Sequence, residues 1–138
     1  MEEFADREYE ETGGLEQDSS DSFVTVEISG LSLFTHHGVT EAERETGQRL
    51  LFDVSLDLEE CDAVVTDRLE DTIDYGAVCD AIALVATARS YRTLERLCAA
   101  IADTLMERFG ASGVVVRATK PEPPLPVAVE EVSVEVSR

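Results

Sequence analysis

From Phe23 onward apolar and polar residues alternate: Val24, Val26 and Ile28 fall on one side of an extended chain, Thr25 and Glu27 on the other. This predicts a first strand running to about Phe34. The pattern returns at Phe52, Val54, Leu56 and Leu58, which oppose Asp53, Ser55 and Asp57, so a second strand is expected to pair antiparallel with the first. Between them His36 to Gly47 forms a polar loop longer than a tight hairpin needs, and such loops are often functional. After an acidic connector from Glu59 to Asp74 the period changes. A helix is expected from near Gly76 to about Ser90, with Val78, Ile82 and Val85 on one side. A clearer one carries Leu94, Leu97, Cys98, Ile101, Ala102, Leu105, Met106 and Phe109 at i, i+3, i+4, i+7 spacing, with Gly110 as its stop. Val114, Val116 and Ala118 mark a third strand, and Val132, Val134 and Val136 a fourth. The prolines in Lys120-Pro121-Glu122-Pro123-Pro124-Leu125-Pro126 stiffen the connection between them.

The order strand, strand, helix, helix, strand, strand predicts an α+β domain, a four-stranded antiparallel sheet with two helices on one face. Its outer strands stay unpaired in a single chain, an aggregation hazard that ring-like oligomerisation would remove. Residues 1–22 hold only isolated apolar side chains, Phe4, Tyr9 and Leu15, and nine acidic residues against one basic, so they read as a disordered acidic tail outside a domain spanning 23–138.

The 138 residues, 43% hydrophobic, fit that single domain. No stretch approaches the roughly 20 apolar residues of a membrane span, and the N-terminus has no basic start followed by an apolar run. A soluble cytoplasmic protein is expected. The net charge of −19, of which −11 lies beyond the tail, disfavours nucleic acid and anionic lipid as partners. It fits either a high-salt cytoplasm or an ordinary acidic enzyme with an acidic tail. Cys61, Cys79 and Cys98 are odd in number and widely spaced, so they read as reduced thiols, with Cys98 in the core.

The chain has no phosphate-cradling glycine loop, nucleophile elbow or set of metal ligands. Its only histidines, His36 and His37, are neighbours whose side chains point opposite ways on an extended segment. What remains is a scatter of polar residues at element boundaries: His37-Gly38, Glu43, Gln48, Tyr75, Glu95 and Lys120. Singly each has a bland reading. Glu95 suits the first turn of a helix, where the dipole favours a carboxylate; Lys120 suits a solvated turn, Tyr75 a half-buried ring, and Glu43 an acidic loop.

Their order lifts them above that level. His37-Gly38-Val39, Glu43-Arg44 with Gly47-Gln48, Asp71-Thr72-Ile73-Asp74-Tyr75-Gly76, Leu94-Glu95-Arg96-Leu97, and Lys120-Pro121 with Pro123-Pro124 and Pro126 resemble, at matching intervals, the motifs of the dihydroneopterin aldolase family. The resemblance covers essentially all of 23–138. It departs at His36, where an aromatic such as tyrosine is common, and at Cys98, where alanine is usual.

The resemblance implies the tunnelling fold (T-fold), with subunits joined edge to edge in a tetrameric ring, often stacked as an octamer, and active sites between subunits. It implies a pterin substrate anchored by Glu95 with backbone groups of Leu94, Thr72 and Ile73, and Glu43 beside the substrate's side chain, holding Lys120 and ordering a water. Lys120 is then the general acid/base, with Tyr75 relaying the proton from the opposite side of the cleft. A reduced pterin carries its own electron sink, so neither metal, cofactor nor Schiff base is called for. Two readings stay open beside the aldolase: an epimerase of dihydroneopterin or its triphosphate at the same site, and a catalytically silent pterin-binding ring protein. A zinc-dependent relative such as pyruvoyl-tetrahydropterin synthase needs three histidines, and this chain has two.

Overall fold

The computed structural model describes residues 22–138; the expected acidic tail, apart from Ser22, lies outside the described residues. Strand β1 (Phe23–Thr35) and strand β2 (Gln48–Glu59) pair antiparallel, β2 pairs with β3 (Gly113–Lys120), and β3 with β4 (Val132–Ser137), giving the sheet order β1-β2-β3-β4. Leu50, Phe52, Val54 and Leu56 of β2 and Val114, Val116 and Ala118 of β3 turn to one face and are buried. Long helices α3 (Tyr75–Ala88) and α4 (Leu94–Phe109) cover that face and complete the core with Val78, Ile82, Leu97, Ile101 and Leu105. The opposite face is polar: Glu27, Asp53, Ser55, Arg117 and Glu135 line an open groove of about 280 Å³.

The apolar positions of β1 change parity midway, from Val24, Val26 and Ile28 to Leu31 and Leu33. A bulge resolves this. Ile28 sits opposite Val54 and Leu31 opposite Phe52, so β1 spends one extra residue and both halves face the core. Gly30 supplies it at φ +69°, its N–H donating to Asp53 Oδ1 at 2.9 Å.

The helices begin where side chains satisfy free N–H groups. Asp74 accepts from the Ala77 N–H ahead of α3, and Thr93 from the Arg96 N–H ahead of α4. Gly110, at φ +65°, closes α4. Because only residues 89–93 separate them, α3 and α4 run antiparallel. Three boundaries differ from those expected. β2 starts at Gln48 rather than near Phe52, and α3 spans Tyr75–Ala88 rather than Gly76 to Ser90. Short helices α1 (Glu41–Thr46) and α2 (Ala63–Thr66), and a 3-10 turn at Leu69–Asp71, occupy the two segments read as loop and connector. None of the three has a buried residue, so no apolar periodicity announces them. Among the described residues no helix is long and apolar enough to cross a membrane.

Candidate active site

The loop after β1 is built around one carboxylate. Thr40 caps α1 by accepting from the Glu43 N–H at 3.1 Å, and Glu43 Oε1 returns the bond by accepting from the N–H groups of Val39 at 3.0 Å and Thr40 at 3.3 Å. The other oxygen, Oε2, accepts from Lys120 Nζ at 3.0 Å, and both side chains are only 12% exposed. Lys120 reaches it because it ends β3 on the parity of Val116 and Ala118, the helix-covered face. Burial alone pushes the Glu43 carboxyl up. The hydrogen bonds from Lys120, Thr40 and Val39 outweigh it and hold the group below the usual carboxylate range.

His37 anchors this loop. Its ring is fully buried, with Nδ1 accepting from the Tyr91 N–H at 2.9 Å and Nε2 beside the Ala86 carbonyl at 2.7 Å. An acceptor at Nδ1 leaves the proton on Nε2, where it donates to Ala86. The imidazole is thus neutral, and burial lowers its pKa. His36 points away, its Nδ1 against the Arg44 carbonyl at 3.1 Å. Gly38 donates its N–H to the Tyr91 carbonyl at 3.0 Å, and a Cβ there would stand 2.4 Å from Glu43 Cβ. Gln48 Nε2 donates to the His37 carbonyl at 3.2 Å. Arg44 is a residue the sequence reading left without a role. Its Nη1 donates to the Gly38 and Val39 carbonyls at 3.0 and 2.9 Å, and the Thr40-x-x-Glu43 spacing was the readable sign that this loop holds a capped helix.

Leu94, buried, and Glu95, exposed, open α4. One turn on, the Cys98 thiol lies 3.8 Å from the Val134 carbonyl; burial pushes its pKa up to about 12, so it stays a thiol. Val134 is the register partner of Ala118, so the start of α4 sits at the Lys120 end of β3. Glu43, Lys120, Leu94 and Glu95 therefore share one end of the molecule. Thr72, Ile73 and the 68% exposed Tyr75 do not. They stand at the start of α3, beside the end of α4, where Cys61, Thr72, Ile73, Phe109 and Gly110 line a crevice of about 180 Å³. The 14 residues of α3, at about 1.5 Å rise each, separate the two groups by roughly 20 Å. Within one chain the expected residues thus form two half-sites. Among the described residues no three His, Cys, Asp or Glu side chains come together in a metal-binding arrangement.

Residues 26–137 match the family model described as FolB, dihydroneopterin aldolase. The chain is 34% identical over 113 residues to the dihydroneopterin aldolase of Streptomyces coelicolor, covering 82% of this chain and 95% of that protein. It is 30% identical over 114 residues to that of Bacillus subtilis, with the same coverage. Among solved structures, a Vibrio cholerae protein described as a dihydroneopterin aldolase (FolB) superposes with a TM-score of 0.77 at 28% identity, over 85% of this chain and 98% of that one. The Escherichia coli dihydroneopterin aldolase in complex with neopterin gives 0.75 at 24%, over 83% and 98%.

Two outcomes follow from the loop. The folded His37 titrates below its ordinary 6.5, so the unfolded chain binds the proton more readily and stability rises with pH in this window. Urea midpoints are expected to be level above pH 6.5 and to fall as the pH drops from there towards the lowered value; a flat profile would remove the neutral-imidazole assignment. Gly38→Ala forces Glu43 aside and is expected to cost about 1–3 kcal/mol in urea denaturation, the usual range for overpacking.

Proposed function

The chain belongs to the dihydroneopterin aldolase family and has its tunnelling fold, and from that premise we propose that it cleaves 7,8-dihydroneopterin into 6-hydroxymethyl-7,8-dihydropterin and glycolaldehyde, a step of folate biosynthesis. The observation that carries the reading is the Lys120 ammonium, held at 3.0 Å by a carboxylate whose other oxygen is tied to backbone. A proton-transfer group must be fixed in place before the substrate arrives, and this one is.

Glu95, at the same end of the fold, accepts two parallel hydrogen bonds from the pterin amino group and the adjacent ring N–H. The backbone of Leu94, and of Thr72 and Ile73, completes the grip. The second side-chain hydroxyl loses its proton, the bond between the first and second side-chain carbons breaks, and glycolaldehyde leaves. The bonding pair flows into the ring imine, giving an enamine. Protonation of that enamine at the remaining side-chain carbon restores the imine and yields product, so the proton removed is balanced by the proton returned. Lys120 is the general acid/base, Glu43 holds it and orders a water, and Tyr75 relays the proton.

Tyr75 lies roughly a helix length from Lys120 in the same chain, which supports a site assembled from two subunits. The surfaces around the half-sites fit such a joint. Val64, Val65 and Leu69 are exposed on the segment that leads into α3 and Tyr75, and Val39, Leu125, Val127 and Val129 on the loops that hold Glu43 and follow Lys120. A head-to-tail contact between these unlike patches, together with β1 of one chain adding to β4 of the next, closes a ring; we propose a tetramer, stacked in pairs as an octamer. The substrate, the homo-oligomer and a cytoplasmic location belong to this same reading.

Incubation with 7,8-dihydroneopterin is expected to release glycolaldehyde in step with the hydroxymethyl product. Inversion of the side chain with little glycolaldehyde would instead identify an epimerase, and neither product a silent binder. Lys120→Ala is expected to lose at least about a hundredfold in turnover while pterin affinity stays within about tenfold. Normal turnover would sink that role. Lys120→Ala and Tyr75→Ala chains, each inactive alone, are expected to regain about a quarter of the sites when co-assembled at random, because one interface in four joins the intact lysine to the intact tyrosine. No recovery in a mixed oligomer would place the site within one chain.

A further inference from the structure

We propose that Thr66, Arg68 and Asp71 form a clamp that sets the path of the Thr72–Ile73 backbone, making them positioning residues for substrate binding. This rests on the proposed role of that backbone in gripping the pterin. The Thr66 hydroxyl donates to Asp71 Oδ2 at 2.6 Å, and Arg68 Nε donates to the same oxygen at 3.0 Å while Nη2 reaches Oδ1 at 3.4 Å. The same hydroxyl accepts from the Arg68 N–H at 3.2 Å, so one atom ties the end of α2 to the turn that follows. The backbone continues the clamp: Asp71 N–H donates to the Arg68 carbonyl at 3.1 Å, and Thr72 N–H to the Leu69 carbonyl at 3.3 Å. From behind, the Cys61 thiol lies 3.8 Å from the Asp71 carbonyl and 3.7 Å from the Thr72 hydroxyl.

Packing does not explain this arrangement. Neither α2 nor the 3-10 turn buries a residue, and Leu69 is 88% exposed, so apolar contact leaves the segment free to take other paths. Polar bonds choose one. Glu60 and Asp67, both at φ +57°, are the two non-glycine residues with left-handed backbone among the described residues; they flank α2, and Asp67 lies inside the clamp, between Thr66 and Arg68. Such conformations persist where the surroundings over-determine them, and they cluster at ligand clamps. The Thr66 hydrogen bond, then that of Arg68, holds Asp71 below the usual carboxylate range, so its charge persists at mildly acid pH. Beyond the clamp Ile73 is buried and Asp74 caps α3, so Thr72–Ile73 is pinned at both ends. Hydrogen bonds to a flat heterocycle weaken steeply with misalignment, and a displaced backbone grips it poorly.

The test is steady-state kinetics with 7,8-dihydroneopterin on the full chain carrying Thr66→Val, Thr66→Ser, Asp71→Asn or Glu95→Ala. Thr66→Val and Asp71→Asn are expected to raise KM about fivefold or more and to leave kcat within about twofold, the sign of a grip used alike by ground and transition state. Thr66→Ser, which keeps the hydroxyl, is expected to match the parent. Unchanged KM in Thr66→Val and Asp71→Asn, with KM raised in Glu95→Ala, overturns the clamp and leaves the pterin grip standing. A KM rise that follows only a loss of oligomer mass or Tm, in Thr66→Ser as in Thr66→Val, also overturns it, since that marks a structural role. Unchanged KM in Glu95→Ala and in the clamp variants overturns the proposed grip and the clamp together.

Discussion

Glu43 is the constraint on which the rest of the site depends. A carboxylate has two oxygens, and here each serves a different part of the chain. Oε1 closes the cap of a six-residue helix too short to be stable alone, and Oε2 fixes a lysine 77 residues away at the end of the central strand β3. The loop gains its shape and the lysine its position from the same group. Gly38 is then required, because only hydrogen fits where its backbone passes Glu43. His37 is required for a related reason. A polar loop has no apolar face to bury, so it is held by a buried imidazole that satisfies the Ala86 carbonyl in the last turn of α3 and the Tyr91 N–H in the turn beyond it.

The second constraint is length. Fourteen residues of helix put Tyr75 at one end of the fold and Lys120 at the other, and no loop movement closes a gap of about 20 Å within a packed domain. Rigidity inside the chain is what makes a neighbouring chain necessary on the proposed reading. The same closure answers a separate problem, the unpaired edges of β1 and β4, which are exposed to strand addition in a single chain.

Much of this was legible in the sequence, and the rest was hidden for identifiable reasons. Alternation at Val24 to Ile28, at Phe52 to Leu58 and along β3 and β4 gave the strands, and the stripe from Leu94 to Phe109 gave α4 to the residue. The core writes itself in period because burial demands it. The bulge at Gly30 was not anticipated, because its register depends on the partner strand; the change of parity between Ile28 and Leu31 is its one sign in the sequence. Helices α1 and α2 were missed because they bury nothing; their signals are caps and turns rather than stripes. The motif order marked Glu43, Lys120, Tyr75 and Glu95 as candidates. The resemblance, not the spacing, implied that Glu43 holds Lys120 and that Tyr75 comes from the other side of the cleft; the structure adds the contact across 77 residues, and helix direction adds the distance between Tyr75 and Glu95 within one chain. His37 drew notice as a candidate for chemistry, and its neighbours at 49 and 54 residues' distance assign it to holding the loop.

The two half-sites are also built differently, and the difference matches what the proposed reading asks of each. The Glu43–Lys120 half joins an ion pair to the end of a central strand, with both side chains nearly enclosed, so the charges see little water and the geometry is stiff. The Thr72–Tyr75 half is reached through an exposed connector whose shape comes from Thr66, Arg68 and Asp71 rather than from the core. A group that transfers a proton gains from fixed position within its own chain, because an error there is an error in the reaction path. A surface that meets another subunit gains from a backbone set by polar bonds at the surface, since it must keep one shape before any partner buries it. On the proposed reading a substitution in the connector then shifts the Thr72–Ile73 backbone without moving Lys120, whose place is set by Glu43.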